Sequence, residues 1–223
     1  MDFIAVSNLD VLAGVYEVRV QDYEGFLKKT NREWKDKPSF LLGGGHPVAG
    51  VSWGDAQAFC AWLTETEREL GLIPEGARYR LPTDVEWSRL AGLMEEEGDD
   101  PAEKHLKKKD HFPWTGDGAW PPPSMSVNLD AGKIAEFNDS YSYTAPVATV
   151  EVNPSGVSGL GGNVSEWCED AWPGADGERV YRGGSYLFFD QEALLTSARR
   201  HAAKEITRAD LGFRCVLDFG SDS

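Results

Sequence analysis

Two rigid brackets near the C-terminus limit the possible folds of this chain more than any other feature. The first is Arg179-Val-Tyr-Arg182-Gly183-Gly184-Ser185; the second is Leu211-Gly212-Phe213-Arg214-Cys215. Gly183 and Gly184 carry no Cβ, so the backbone can turn sharply there or be approached closely. Phe213 and Val216 read as core apolars of a closing strand. The segment between the brackets follows neither helical nor strand period. It holds an apolar run, Tyr186-Leu187-Phe188-Phe189, and a mixed run, His201-Ala202-Ala203-Lys204-Glu205-Ile206-Thr207. An apolar run directly after a Gly-Gly turn is either a buried strand or an exposed adhesive face. Alternation would turn one of Phe188 and Phe189 inward; we expect at least three of residues 186–189 to be exposed.

Upstream, residues 11–20 read as a strand, with period-two alternation from Val15 to Val20. A helix follows over about Val20–Lys29, with Tyr23, Phe26 and Leu27 on one face. Ser52 is placed to cap a second helix that runs to about Leu70, and Ala56, Phe59, Cys60 and Leu63 form its core stripe. Thr83-Asp84-Val85-Glu86 repeats the capping device, with Asp84 suited to the positive end of the helix and Trp87, Leu90 and Ala91 facing the core. Residues from about 95 to 112 are charged and poor in apolar side chains, which predicts a solvated insertion or mobile loop. The stretch from Pro121 to Gly162 is rich in Asn, Asp, Gly, Pro, Ser and Tyr, long enough that something should organise it. Few short strands, two main helices and much loop predict an α+β chain forming one domain over 1–223.

The eight tryptophans and 41% hydrophobic content support a sizeable core. A formal net charge of −15 argues against nucleic-acid and anionic-membrane partners. A solvated acidic surface explains that charge, and a basic ligand is the sharper alternative. There is no N-terminal apolar segment of signal type and no run of transmembrane length, so we expect a soluble, cytoplasmic chain. Three cysteines, Cys60, Cys168 and Cys215, make no disulfide framework. No GxSxG elbow, Walker loop or HExxH motif is present. The four histidines, His46, His105, His111 and His201, form no i, i+4 pair; His105 and His111 read as solvated.

Taken together, "RGGS…LGFRC", "GGNVSEW", "VYEVRVQDYEGF", "HPVAGVSWGDAQAFCAWL" and "YRLPTDVEW" resemble the formylglycine-generating enzyme/sulfatase-modifying family. The motifs run in family order from about Val15 to Val216. The resemblance implies a C-type-lectin-like fold and brings Cys60 close to Cys215, as two buried thiols or as a disulfide. It implies a calcium site using side-chain oxygens of Asn128 and Asp139 and the carbonyls of Leu129 and Tyr141. A second calcium site would take the carbonyls of Gly162 and Val164 and the carboxylate of Glu166. The family's further side-chain ligand falls at Gly159, which has no oxygen, so Glu166 and Asn163 would instead brace the loop by hydrogen bonds. Ser165 stands where the family usually has Trp.

The family's oxidases hold copper through two cysteines after the Gly-Gly-Ser turn, and soft thiolates suit Cu(I). Phe188 and Ala193 stand at the matching positions, so neither copper nor catalysis is expected. One subgroup, the variable proteins of diversity-generating retroelements, ends in the same brackets around a hypervariable ligand-binding window. There, adenine-directed mutagenesis of AAC or AAT codons gives access to Tyr, Leu, Phe, His, Ala, Ile, Thr and Asp. These types fill Tyr186, Leu187, Phe188, Phe189, His201, Ala202, Ala203, Ile206, Thr207, Ala209 and Asp210. Arg199, Arg200, Lys204, Glu205 and Arg208 fit that code less well and read as fixed scaffold. The expectation is a non-catalytic protein that displays residues of about 186–210 to a protein or peptide ligand, with aromatic anchors. The alternatives are a divergent metal-dependent oxidase and a ligand-sensing module of a kinase-linked signalling protein.

Overall fold

The computed structural model describes residues 1–41, 43–114, 120–123 and 126–220. One sheet joins β1 (Phe3–Ala5), β2 (Val11–Gly14), β8 (Val216–Asp218) and β3 (Arg78–Arg80), in that order and all antiparallel. The other has the order β6 (Arg200–Ala203), β5 (Glu178–Arg182), β4 (Ser165–Ala171) and β7 (Leu211–Gly212), with β4 and β7 parallel. Helices α1 (Val20–Thr30), α2 (Trp53–Glu69), α3 (Asp84–Leu90) and α4 (Pro101–Leu106) complete the regular structure, with three short 3-10 turns. This is the mixed, loop-rich α+β architecture expected from the sequence.

The first strand is shorter than expected. β2 stops at Gly14, and residues 15–19 continue as extended chain outside any ladder. Val18 donates its N–H to the Phe213 carbonyl and accepts from Val48 N–H, so the alternation from Val15 to Val20 reflects threading between two loops. The helix starts match the sequence. The Ser52 hydroxyl accepts from Asp55 N–H while Asp55 accepts from Ser52 N–H. Thr83 and Glu86 make the same reciprocal pair at α3. Each pair satisfies backbone donors that the first helical turn leaves without partners.

Tyr23, Phe26, Phe59 and Phe213 form the centre of the main core, where Phe59 and Phe213 meet edge to face at 5.5 Å. Trp167 is fully buried and donates its indole N–H to the Val51 carbonyl, so its one polar atom is satisfied. Cys60 and Cys215 lie in the same core with their Sγ atoms 3.5 Å apart, as the resemblance implied.

The segment read as a solvated insertion packs onto the C-terminal region. Asp100 caps α4 through the N–H groups of Ala102 and Glu103. Glu96 accepts two hydrogen bonds from the buried Arg199 at 2.6 Å each. His105, expected to be solvated, accepts from the Arg199 N–H through Nδ1 at 3.1 Å. His111 lies 3.0 Å from the Thr196 hydroxyl. The charge of this segment concealed its partners, which lie 85 or more residues away.

Candidate ligand-binding surface

Three buried arginines fix the brackets. Arg182 and Arg199, fully or almost fully buried, share the carboxylate of Asp84. Arg182 also donates to Ser88 Oγ and to the carbonyls of Thr196 and Ala198. Its guanidinium lies over the Trp87 ring, 4.6 Å from the centroid. One carboxylate at the start of α3 thereby ties together the two ends of the 183–199 segment. Burial acts to raise the Asp84 pKa, but Arg182 and Arg199 more than offset it and hold the carboxyl below its ordinary range.

The third arginine, Arg214, grips Glu166 with two hydrogen bonds of 2.6 Å, and Trp87 Nε1 donates to the same carboxylate. Arg214 also reaches the carbonyls of Gly14 and Ser158, so it stitches β2 to the second bracket. The Gly-Gly turn lies between these anchors. Gly183 has φ +75°, and a Cβ on Gly184 would sit 2.3 Å from Leu194 Cδ2. The Ser165 hydroxyl faces the carbonyls of both glycines, at 3.4 and 3.3 Å.

The apolar run is neither a buried strand nor a uniformly exposed face. It forms a turn closed by Phe188 N–H to the Ser185 carbonyl. Leu187 and Phe189 are 51% and 43% exposed, Phe188 is half-buried and Tyr186 is buried. Two of the four residues are exposed, where at least three were expected. Tyr186 packs inward because Phe40 and Tyr143, themselves stacked at 4.5 Å, receive its ring edge-on. Phe188 lies beneath the guanidinium of Arg200, and Phe189 beneath the ammonium of Lys133. A groove of about 530 Å³ adjoins this turn, bounded by Leu129, Asp130, Asn138, Tyr141, Tyr186 and Leu187.

The second run divides between faces. β6 alternates, so Ala202 packs on the core while His201 stacks on Trp172 and pairs with Glu178 on the opposite face. Ala203 and Ala209 are exposed, Ile206 is 42% exposed, and Thr207 is half-buried against Asp36. Asp210 is buried and accepts from Arg208 and from the Ser185 hydroxyl. Of the positions read as fixed scaffold, Arg199 is buried, whereas Lys204 and Glu205 are exposed. Phe40 and Tyr143, absent from the sequence-based site, extend its apolar surface. Each stands in an irregular stretch that gives no sign of their pairing.

The expected calcium ligands differ in how well they fit. Asn128 and Asp139 are both 1% exposed and adjacent, with Asn128 Nδ2 donating to Asp139 Oδ2 at 3.2 Å. Leu129 N–H and Tyr141 N–H also donate to Asp139. Asn128 Oδ1 is buried with no partner among the described residues, which suits an oxygen-seeking cation beside a buried carboxylate. Gly162 and Val164 lie beside Glu166, whose carboxylate accepts three hydrogen bonds from Arg214 and Trp87. Glu166 is a charge partner, the bracing role left open by the sequence. Asn163 braces the same region, accepting from Ala145 N–H and donating to Glu17 Oε1 at 3.0 Å.

Glu17, which the sequence did not single out, occupies the space left by the missing side chain of Gly159: a Cβ there would meet its carboxylate at 2.4 Å. Its Oε2 has no hydrogen-bond partner among the described residues. Burial pushes the Glu17 carboxyl up to about 7; Arg214 pulls it down and Glu166 pushes it up.

Both the sequence and the fold have known counterparts. The sulfatase-modifying factor enzyme 1-like domain matches residues 10–219, and the chain belongs to that family. The formylglycine-generating enzyme of Streptomyces coelicolor is 31% identical over 195 residues, covering 78% of this chain and 53% of the enzyme. The inactive C-alpha-formylglycine-generating enzyme 2 of Bos taurus is 30% identical over 190 residues, covering 78% of this chain and 51% of that protein. The chain thus spans about half the length of these curated relatives. Treponema denticola variable protein 1 has the same fold, with a TM-score of 0.69 at 19% identity, covering 98% of this chain and 94% of that one. Among the described residues no helix is long and apolar enough to cross a membrane.

Proposed function

We propose that this chain is a non-catalytic ligand-binding protein of the retroelement-diversified variable type. It displays part of the 186–210 window to a protein or peptide. The observation that carries this reading is the exposure of Leu187, Phe189 and Ile206 on segments whose ends are fixed by buried charge. Exposed apolar side chains on a rigid frame lose little entropy when a partner covers them. Tyr143, 52% exposed, and the partly buried Phe40 widen that surface. Tyr186 and Asp210 serve from below by holding the turn. Phe188 and Ala193 offer no thiolate for copper. The inactive relative and the variable protein of the same fold both support the non-catalytic reading.

Peptides selected from a random phage library should bind the purified protein and lose at least about tenfold in affinity to a Leu187→Ser/Phe189→Ser/Ile206→Ser variant. Selected peptides that bind the variant as well as the parent overturn the reading. So does copper-dependent oxygen uptake with a cysteine peptide as substrate. DNA flanking the gene should carry a near-copy of the coding window that differs at adenines.

We also propose that Asn128 and Asp139 hold calcium as a structural ion, together with the carbonyls of Leu129 and Tyr141. The unpartnered Asn128 Oδ1 supports this. Calcium at 100 times its Kd adds about 2.7 kcal/mol, which for a domain of this size raises Tm by about 5–10 °C. Scanning calorimetry in calcium and in EDTA should show that shift, and Asp139→Asn should abolish it. Equal melting temperatures of the parent in the two buffers rule the ion out.

A further inference from the structure

We infer that a second groove, formed by Tyr23, Trp34, Asp36, Asp55, Glu205 and Thr207, receives the lysine or arginine side chain of a basic partner. The inference rests on the ligand-binding reading above and adds the chemistry of the partner. The groove holds about 230 Å³, below the ~300–1,000 Å³ of pockets for drug-sized molecules and suited to a single side chain.

Its charge is one-sided. Glu33, Asp36, Asp55 and Glu205 line it against the single cation Lys35. Asp36 accepts from the Thr207 hydroxyl at 2.9 Å, and Asp55 from the N–H and hydroxyl of Ser52. Trp34 supplies an aromatic wall, held by its indole N–H to the Gly50 carbonyl at 3.2 Å. Its ring already accepts an ammonium: Lys37 Nζ lies 5.1 Å from the centroid while bonded to Glu24 outside the groove.

Tyr23 forms the floor of the groove. It is 2% exposed, its ring is packed against Phe26, Trp34, Phe59 and Phe213, and it still lines the groove. Its hydroxyl makes no hydrogen bond to another described residue. A buried phenol at the floor of an acidic groove can accept the N–H of an inserted ammonium or guanidinium. Glu205 and Thr207 belong to the window and the other walls to the framework, so the groove opens beside the displayed surface. The net charge of −15 also favours a basic partner.

The test is a ¹H–¹⁵N titration of the whole chain with N-acetyl-arginine methylamide, followed at the Trp34 indole N–H, which Trp34→Phe assigns. A saturable shift is expected. The neutral N-acetyl-citrulline methylamide should give none, and Asp36→Asn/Glu205→Gln should weaken the arginine probe at least threefold. No shift, or an equal shift with citrulline, overturns the inference. Spermidine binding more tightly than a library-selected basic peptide overturns it too, because the groove would then serve a free polyamine. If the arginine probe fails while selected peptides still depend on Leu187 and Phe189, the groove is refuted and the display reading stands. If Trp34 responds but no peptide depends on those residues, the groove stands and the display reading falls.

Discussion

Replacing Asp84 by asparagine is expected to cost about 3–5 kcal/mol, because it leaves the buried Arg182 without a carboxylate partner and Arg199 with Glu96 alone. That is a large part of the ~5–15 kcal/mol that holds a typical domain folded. Glu96 still partners Arg199, but Arg182 keeps only hydroxyl and carbonyl acceptors. Urea denaturation measures the loss, and Glu96→Gln should show a smaller one because Asp84 remains with Arg199. The pH dependence has a definite sign. The folded carboxyl titrates below its unfolded value, so its stabilisation is present above the unfolded pKa of about 3.9 and disappears as pH falls through the folded value. The asparagine variant should lack that acid limb. A variant as stable as the parent at pH 7 would mean that the brackets are not held through this carboxylate.

Glu17→Gln should have the opposite effect and stabilise the protein at alkaline pH. Burial raises the folded carboxyl to about 7, above its unfolded value of about 4.3. Its contribution to stability is therefore complete below the unfolded pKa and is lost as pH rises through 7. A glutamine keeps an oxygen for Asn163 and removes the charge, and Arg214 retains Glu166. The expected gain is up to about 3 kcal/mol at pH 8 and close to none at pH 4. Denaturation midpoints across that range measure it. A variant destabilised equally at both pH values would show that the charge of Glu17 is needed in the fold.

Much of the architecture was legible because it is encoded locally. Ser52 with Asp55 and Thr83 with Glu86 announce helix starts, and Ala56, Phe59, Cys60 and Leu63 announce a core face within one helix. The brackets were legible too, because Gly183 takes a positive φ beside the Leu160 carbonyl and Gly184 is closely approached by Leu194 and the Gly161 backbone. What escaped was pairing across distance. Asp84 reads from the sequence as a residue suited to a helix terminus, and only the fold brings Arg182 and Arg199 onto it. Phe40, Tyr143 and Tyr186 stand more than 40 positions apart, so their stacking left no periodic trace. The same blindness misplaced Tyr186, whose apolar neighbours in sequence are exposed while its neighbours in space enclose it. Glu17 lies in an alternating stretch that looked like strand, and its burial follows from an absent side chain 142 positions later, at Gly159.

Asp84 also separates two kinds of evolutionary change. It secures both margins of the intervening segment from outside it, so the outermost side chains there, Leu187 and Phe189, contribute almost nothing to folding. Substitutions at such tips typically shift stability by no more than about 0.5 kcal/mol. On the proposed display function, the exposed surface can change while the ability to fold is inherited unchanged.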